Sequence, residues 1–482
     1  MPRLPIVDAL LRYKEENNSY FAMPGHKCGK AYEQTDEGRL FLSNMIDFDV
    51  TEVDGMDNFH NPEGIIKEAQ KELSNYYQSK KSYFLVNGST SGNMIMIFSV
   101  FNEHDKIIVE RNCHRSVYNS IVLRKLKPIY IRNKISESYD APFSIDKEHL
   151  FSVMEKNKDA KGILLTYPNY YGLCSDLEEI IEKAREYKMK VLIDSAHGAH
   201  FGVSEELPVN AVSLGADMVV HSAHKTLPSL TQTSFLHLNC EELIEKVDYF
   251  TSVFSTTSPS YLFMASLDYS RYYLQKYGTE AYENLIKLSD EYREKINRIG
   301  IFHVIGEMDI NKEFSNEESY CSRVKIDKSR YIINLPRGYS GHALSEYLKT
   351  QNIQAEMSDH RNVILLFATS HTRNDFEKLY GALKRCNVSL IKDDHTIPVD
   401  CPIPMMKVMP WEAIELKKER CMVEDALDKI CGQAIVPYPP GIPLVMPGEL
   451  ISQEVGKIIN YYIENHVTLL GIEEGMITVL KK

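Results

Sequence analysis

The sequence has 482 residues, too many for one compact hydrophobic core, and therefore predicts two or three domains. Hydrophobic residues make up 43% and charged residues 25%, a balance that excludes collagen-like, disordered and disulfide-scaffold proteins. The formal net charge is -12, which repels a phosphate backbone and argues against a nucleic-acid partner.

The 9 cysteines are scattered and never form a CxxC pair, so neither a metal site nor a disulfide framework is predicted. Reduced cysteines of this kind are typical of a cytoplasmic protein. The first residues show no signal-peptide cleavage pattern, and no run of about 18 apolar residues predicts a membrane span. We therefore expect a soluble, cytoplasmic protein with no membrane partner.

The predicted elements follow a repeating order along the chain. After an irregular segment rich in Gly, Asp and Asn, a helix is predicted with Asn61 as its cap and Pro62 in its first turn. Alternation of short apolar runs with helical patterns then predicts an α/β fold with a mostly parallel sheet, whose ligands bind outside the carboxyl ends of the strands. The apolar runs are at residues 83–86, 106–110, 162–166, 190–194, 217–221 and 233–238.

Changes in pattern predict how the chain divides. A long helix from about residue 262 to 298 precedes new strand patterns, YIINLP and NVILLFAT, which predict a smaller α/β domain. The polar, Pro-rich stretch KDDHTIPVDCPIPMMK at 392–407 is interpreted as a linker, and a helix is predicted from about Ser452. The predicted division is an N-terminal segment that contributes to the site (1–60), a large domain (61–298), a small α/β domain (299–392) and a C-terminal domain (393–482).

The motif HSAHKTLPSLTQ at 221–232 places Lys225 directly after an apolar strand. A lysine in such a position can form a Schiff base with an aldehyde cofactor, and Ser222 and His224 could bond a phosphate. The alternative is a surface lysine in a polar loop, which is the usual explanation of an isolated HK dipeptide. The neighbouring motifs favour the Schiff-base interpretation.

The motif KVLIDSAHGAHFG at 190–202 ends a buried strand with Asp194. A carboxylate there can keep a pyridine nitrogen protonated, as the chemistry of pyridoxal 5'-phosphate (PLP) requires. Ala196 is small enough to lie against a flat ring, and His197 could bond a ring hydroxyl or a substrate group. The alternative is that Asp194 caps a turn or a helix.

Two further motifs follow strands of the same predicted sheet. FLVNGSTSGN at 84–93 is a Gly- and hydroxyl-rich turn that opens a helix, so Ser89 and Thr90 are candidates for binding phosphate. RNCHRS at 111–116 supplies His114, which could stack on a planar ring. The alternatives are an ordinary helix cap and a structural histidine.

In chain order, the four motifs supply a phosphate turn, a stacking histidine, an aspartate and a lysine, and in this order they resemble the Orn/Lys/Arg decarboxylases, which are fold-type-I PLP-dependent enzymes. The resemblance runs from about residue 4 to about 475 and is closest to short bacterial members without an N-terminal wing domain. It implies a fold-type-I large domain, a smaller α/β domain and a C-terminal decarboxylase-type domain. Further stretches that carry it are MPGHKCGK at 23–30, VDGMDNFHNPEG at 53–64, STTSPSYLFMASLD at 255–268 and PYPPGIPLVMPGE at 437–449.

The resemblance implies PLP as the cofactor and a role for each candidate residue. Lys225 would hold the cofactor, Asp194 would pair with the pyridine nitrogen, His114 would stack on the ring and His197 would lie near the ring hydroxyl. Family members are dimers or assemblies of dimers, so a homodimer is expected, with Thr257 or Ser258 reaching the partner's phosphate. The residues implied to bind the cofactor phosphate are Ser89, Thr90, Ser222 and His224.

The implied reaction is decarboxylation of arginine, lysine or ornithine to an amine and CO2, as in polyamine biosynthesis. Lys225 and His197 both remain candidates for returning a proton to Cα. SAHK stands where STHK is frequent in the family, and this departure weakens any transfer of substrate identity. Glu52, Asp54 and Asp57 are candidates for binding the cationic side chain, although capping of turns and of the following helix explains them slightly better.

Two other functions fit parts of the sequence. An aminotransferase or aldolase-type reaction is possible because the fold does not determine the reaction, and Arg373 could then bind a substrate carboxylate. A catalytically silent regulator would predict loss of the lysine or of the aspartate, yet Lys225 and Asp194 are both present.

Overall fold

The computed structural model describes residues 4–315, 324–393, 402–437, 443–464 and 467–481. Half of the predicted linker, residues 394–401, and most of the PYPPG stretch, within 438–442, lie outside the described residues. Within the described ranges, no helix is long and apolar enough to cross a membrane.

A seven-stranded sheet forms the centre of the molecule, with the order β1-β7-β6-β5-β4-β2-β3. Strand β7 runs antiparallel to both of its neighbours, and the other pairs are parallel. This confirms the α/β fold with a mostly parallel sheet. The strands are β1 (Lys81–Leu85), β2 (Lys106–Glu110), β3 (Lys127–Ile131), β4 (Gly162–Thr166), β5 (Lys190–Asp194), β6 (Met218–His221) and β7 (Ser234–Leu238).

Sequence patterns predicted six of these strands and missed β3. Strand β3 begins Lys127-Pro128, and proline weakens a strand pattern because it donates no ladder hydrogen bond. The position of β3 at the edge of the sheet explains why the proline is tolerated.

Helices cover both faces of the sheet and bury alternate strand residues on opposite sides. Ile163 and Leu165 of β4 belong to one hydrophobic cluster, while Leu164 between them belongs to the other. The helices around this sheet are Ile65–Tyr77, Gly88–Val100, Arg115–Leu123, Lys147–Lys156, Leu177–Glu186, Ala223–Thr226, Ile244–Phe254, Tyr261–Tyr273 and Thr279–Asn297.

A second, antiparallel sheet follows in the chain and contains the predicted YIINLP and NVILLFAT strands. Its largest hydrophobic cluster continues into the core of the first sheet, so the two sheets share one core. The predicted domain boundaries stay predictions. The strands, in sheet order, are His303–Val304, Arg330–Asn334, Asn362–Leu366 and Met357–Ser358; the helices beside them are Glu307–Glu313, Gly341–Thr350 and Arg373–Arg385.

The N-terminal residues contain three helices and one strand. Strand Ser19–Phe21 pairs in parallel with Ile353–Ala355, which ties this end of the chain to the region of the second sheet. Two short antiparallel pairs complete this part of the fold, Asn133–Ser136 with Ala141–Ile145 and Leu173–Cys174 with Lys325–Ile326. The helices are Pro5–Glu15, Lys30–Glu33 and Asp36–Ser43.

The C-terminal residues have a hydrophobic cluster of their own. The predicted helix from about Ser452 is confirmed as Gln453–Glu464, and the Ser452 hydroxyl accepts from Val455 N at 3.3 Å. The other elements are helix Pro410–Glu415, the three-stranded sheet of Lys418–Met422, Met476–Leu480 and Ile472–Glu473, and the pair Val436–Pro437 with Leu469–Leu470.

Candidate functional site

Polar loops meet at the carboxyl edge of the seven-stranded sheet. Asp194 ends β5, and the loop after β6 carries Lys225 on the short helix Ala223–Thr226. Helix Gly88–Val100 begins soon after β1, and His114 precedes helix Arg115–Leu123 after β2. The expected gathering of the motifs at this edge is therefore present.

Lys225 and His197 contact each other directly, with 3.0 Å between Lys225 Nζ and His197 Nε2. Burial lowers the pKa of Lys225; the nearby charge of Arg330 adds to this, while Asp194 and Glu356 oppose it. Burial also lowers the pKa of His197 well below its usual value, so its imidazole is neutral near pH 7. The lysine is therefore deprotonated more easily than an exposed lysine, which makes it a better nucleophile.

Asp194 is buried and accepts two hydrogen bonds. Ala196 N donates to Oδ1 at 3.1 Å, and Asn93 Nδ2 donates to Oδ2 at 2.8 Å. The sequence interpretation of Asp194 as a turn cap is thus partly right, because it accepts the N–H two residues on. The sequence interpretation did not identify Asn93, the last residue of the FLVNGSTSGN motif, as the residue that bonds Asp194.

His114 is the N-cap of helix Arg115–Leu123, since its Nδ1 accepts from Ser116 N at 3.2 Å. The same Nδ1 lies 2.8 Å from Ser116 Oγ. Burial lowers the pKa of His114, with Lys225 and Arg115 adding to the shift and Asp194 opposing it. A neutral, flat ring whose position is set by its own helix suits the predicted stacking role.

Two of the predicted phosphate ligands bond to each other. Ser222 Oγ donates to Ser89 Oγ at 2.7 Å, at the beginning of helix Gly88–Val100. The N-cap residue Asn87 makes no side-chain hydrogen bond to that helix in the described part of the chain, so its first N–H groups are available to an anion. Thr90 is exposed on the first turn.

Among the described residues, the side chain of His224 forms no hydrogen bond with the two serines; its Nδ1 donates to Thr233 O at 2.8 Å. Burial lowers the pKa of His224 to about 4.

The N-terminal segment packs against the lysine loop through Gly25. Gly25 N donates to His224 O at 2.7 Å. A Cβ atom at Gly25 would lie 2.4 Å from Leu227 O, so only glycine allows this approach. This contact places the MPGHK motif beside Lys225.

Two charged residues near Lys225 were not predicted from the sequence. Arg330 is buried and bonds Asp327 through both Nε (2.9 Å) and Nη2 (2.7 Å), while Nη2 also donates to His197 O at 3.3 Å. Glu356 accepts from Met23 N at 2.9 Å, and its charge acts on Lys225. Both stand in ordinary strand patterns, so no local signal could have identified them.

The acidic residues of the N-terminal segment have structural roles. Asp57 accepts from the N–H groups of Glu63, Gly64 and Ile66 at 2.9–3.0 Å. The helix therefore begins at Ile65 with Gly64 as N-cap, and the prediction of a start at Asn61 and Pro62 was wrong. A carboxylate on the preceding turn satisfies the first N–H groups instead. Glu52 likewise accepts from Phe59 N, and Asp54 is exposed.

Three other candidates lie on the surface. Arg373 forms two hydrogen bonds with Glu291, at 2.6 and 2.8 Å, and its side chain is 58% exposed. It therefore does not join the cluster around Lys225. Thr257 and Ser258 are exposed, and their predicted contact with a partner subunit stays a prediction.

Comparisons with known proteins match most of the chain to the family that the sequence motifs resemble. Residues 4–375 match the family model of the Orn/Lys/Arg decarboxylase major domain, and residues 404–466 match that of its C-terminal domain. Uncharacterized protein YaaO of Bacillus subtilis (strain 168) is 36% identical, covering 93% of this chain and 92% of YaaO. The arginine decarboxylase of the same organism is 32% identical, covering 99% of this chain and 98% of its own length.

Solved structures agree on the fold. Lysine decarboxylase A from Pseudomonas aeruginosa superimposes with a TM-score of 0.78 at 19% identity, covering 95% of this chain and 78% of that chain. The fold is that of the fold-type-I PLP-dependent enzymes, which confirms the predicted class. Within this class the chain belongs to the Orn/Lys/Arg decarboxylase family and is an amino-acid decarboxylase.

Proposed function

We propose that this chain binds PLP through Lys225 and decarboxylates a basic L-amino acid, with arginine as the first candidate substrate. The observation that carries the proposal is the contact between Lys225 Nζ and His197 Nε2, in an environment that lowers the pKa of both groups. An amine that loses its proton easily is what a carbonyl cofactor requires of its lysine.

The residues present fit PLP. Hydroxyls of Ser89 and Ser222 and the N–H groups of an uncapped helix suit a phosphate, and Asp194 suits a pyridinium nitrogen. In the described part of the chain, Nδ1 of the buried His197 has no hydrogen-bond partner, and a ring hydroxyl would supply one. A bound dianion would raise the pKa of His224 and so allow it to donate to the phosphate.

PLP, when bound, supplies a carbonyl carbon for amines and a protonated ring that withdraws electrons from the substrate Cα. Lys225 would hold the cofactor through its amine and would be the nucleophile of the site. Asp194 would face the ring nitrogen and accept a hydrogen bond from it. Lys225 Nζ and His197 Nε2 share a hydrogen bond, so either atom can hold the proton that Cα regains after CO2 leaves.

Glu356 is the proposed partner of the cationic substrate side chain. A basic side chain requires a carboxylate, and Asp57 is already used to cap a helix. The charge of Glu356 acts on Lys225, which puts its carboxylate near the reacting amine. Arginine is preferred over lysine and ornithine because the 32%-identical relative, matched along nearly its whole length, is an arginine decarboxylase.

We further propose that the protein is a cytoplasmic homodimer whose reaction yields amines for polyamine biosynthesis. In such a dimer, Thr257 or Ser258, which are exposed, would reach the phosphate of the partner subunit. Size-exclusion chromatography with light scattering tests the assembly, and a monomer that is fully active would overturn this part of the proposal.

The test combines cofactor absorbance with product analysis. The purified protein should show a visible absorbance band of bound PLP, which is lost in Lys225→Ala, and should release CO2 and the amine from one of arginine, lysine and ornithine. A band with release of a keto acid instead of CO2 would favour the aminotransferase alternative. If the protein shows no band even with added PLP, the proposal fails and the silent regulator is favoured.

A further inference from the structure

Two buried side chains connect Asp194 to His114 through an unbroken series of hydrogen bonds. Asn93 Nδ2 lies 2.8 Å from Asp194 Oδ2 and 2.9 Å from Ser116 Oγ, and Ser116 Oγ lies 2.8 Å from His114 Nδ1. Asn93 and Ser116 are at most 2% exposed, so water does not compete for these bonds.

The direction of each hydrogen bond follows from the chemistry of the groups. An ionised carboxylate only accepts, so the Asn93 amide must turn its NH2 group towards Asp194 and donate its second hydrogen to Ser116 Oγ. The Ser116 hydroxyl is then free to donate its own hydrogen to His114 Nδ1. Because Ser116 N also donates to Nδ1, the neutral imidazole carries its hydrogen on Nε2.

We propose that the side chains of Asn93 and Ser116 are positioning groups, which fix the orientation of the Asp194 carboxylate and of the His114 ring. The two groups assigned to the ring nitrogen and to the ring face are thereby set relative to each other before the cofactor binds. This inference rests on the proposed PLP function and extends it to two residues outside the cofactor's own ligands.

The energetic cost of burying an unpaired oxygen of Asn93 supports this role. In the described residues its Oδ1 atom is buried without a hydrogen-bond partner, and an unpaired buried acceptor is destabilising. An apolar residue would avoid that cost, so the amide is retained for the two bonds that its NH2 group donates.

The preceding glycine allows the amide to reach the sheet. A Cβ atom at Gly92 would lie 2.4 Å from Val220 Cγ2 and 2.9 Å from Leu85 Cδ1, so the helix packs against β6 and β1 only because position 92 lacks a side chain. This approach brings Asn93 within hydrogen-bond distance of Asp194 at the end of β5.

The test removes each donor and follows the bound cofactor. Ser116→Ala deletes the hydroxyl and keeps the backbone N–H donor, Asn93→Leu deletes both amide bonds, and Ser116→Thr keeps the hydroxyl. Ser120→Ala is a matched control, because Ser120 is buried on the same helix and donates to Ser116 O at 2.7 Å. The measurements are the PLP dissociation constant, the pH midpoint of the cofactor absorbance, and the change in kcat and in KM.

Ser116→Ala and Asn93→Leu each remove hydrogen bonds that hold Asp194 or His114 in place. The PLP dissociation constant should therefore rise about tenfold, the change expected when the hydrogen bonds lost are of ordinary strength. The absorbance midpoint should shift and kcat should fall about tenfold with little change in KM. Ser116→Thr and Ser120→Ala should behave as the wild type.

The inference would be overturned if Ser116→Ala bound PLP as tightly as the wild type and its absorbance midpoint did not shift. This holds whether or not the variant is thermally less stable. Equal effects of Ser120→Ala and Ser116→Ala would also overturn it, since they would mark a general packing defect. If the wild-type chain itself binds no PLP, the proposed function fails and this inference fails with it; normal binding in every variant sinks the inference alone.

Discussion

Lys225 and Arg330 are two basic residues of the same site, and they are held in opposite ways. The Arg330 side chain is 1% exposed and bonds the carboxylate of Asp327, which in turn accepts from Ser329 and His200. Lys225 Nζ contacts the neutral imidazole of His197 and, within the described part of the chain, forms no ion pair.

The difference separates a cation with a structural role from an amine that is proposed to react. The buried Arg330 guanidinium makes two contacts with one carboxylate oxygen, Asp327 Oδ2, and so ties the two residues together. The half-buried Lys225 amine has a lowered pKa, so its free-base form is available for chemistry. The following predictions test this contrast, beginning with the largest expected effect.

Replacement of Lys225 by Met should lower kcat/KM by about 10⁴-fold or more, because the nucleophile is lost while the apolar stem is kept. The free energy of unfolding of the cofactor-free protein should not fall, since no ion pair is broken. Steady-state kinetics and urea denaturation measure the two effects. A loss of stability as large as that of the Arg330 variant would break the comparison.

Replacement of Arg330 by Met should lower the free energy of unfolding by about 3–5 kcal/mol, because the buried Asp327 loses its guanidinium partner. The Arg330→Met/Asp327→Leu double variant should recover much of this loss. Against the effect of burial, His200 and Arg330 hold the pKa of Asp327 below its usual value, so their contribution is present at pH 7 and is lost as the pH falls below about 4. Additive effects of the two substitutions would contradict the pairing.

Buried histidines near Lys225 should make the stability depend on pH. Burial lowers the pKa of both His26 and His224 to about 4. Between about pH 4 and 6.5 only the unfolded chain protonates them, so the free energy of unfolding should fall as the pH drops, by up to about 1.4 kcal/mol per pH unit for each histidine. His224→Asn should reduce this slope in denaturation experiments, and an unchanged slope would refute its assignment.

Replacement of Arg373 by Ala should have the smallest effect. Its pair with Glu291 is exposed to solvent, so the free energy of unfolding should hardly change. Decarboxylase activity should remain as in the wild type. A large rise in KM would instead revive a role for Arg373 in binding the substrate carboxylate.

Local patterns were sufficient to predict which side chains meet at the carboxyl edge of the sheet, while their roles stay predictions. Asp194 ends a strand, and Lys225, His114 and Ser89 follow strands whose carboxyl ends lie at one edge. The missed strand β3 contains a proline, and the helix predicted from Asn61 begins at Ile65 because Asp57 caps it from an earlier turn. In both cases the deciding contact is not visible in the local sequence.

The sequence by itself determined the α/β class, because strand and helix periodicity act over a few residues, and its ordered motifs carried the resemblance to the family. Only the tertiary structure decided which polar residues support them. Asn93 bonds Asp194 across 101 positions, and Arg330 bonds the His197 carbonyl across 133. Contacts between residues so far apart in the sequence depend on how the chain packs in three dimensions. Neither residue spacing nor composition predicts them.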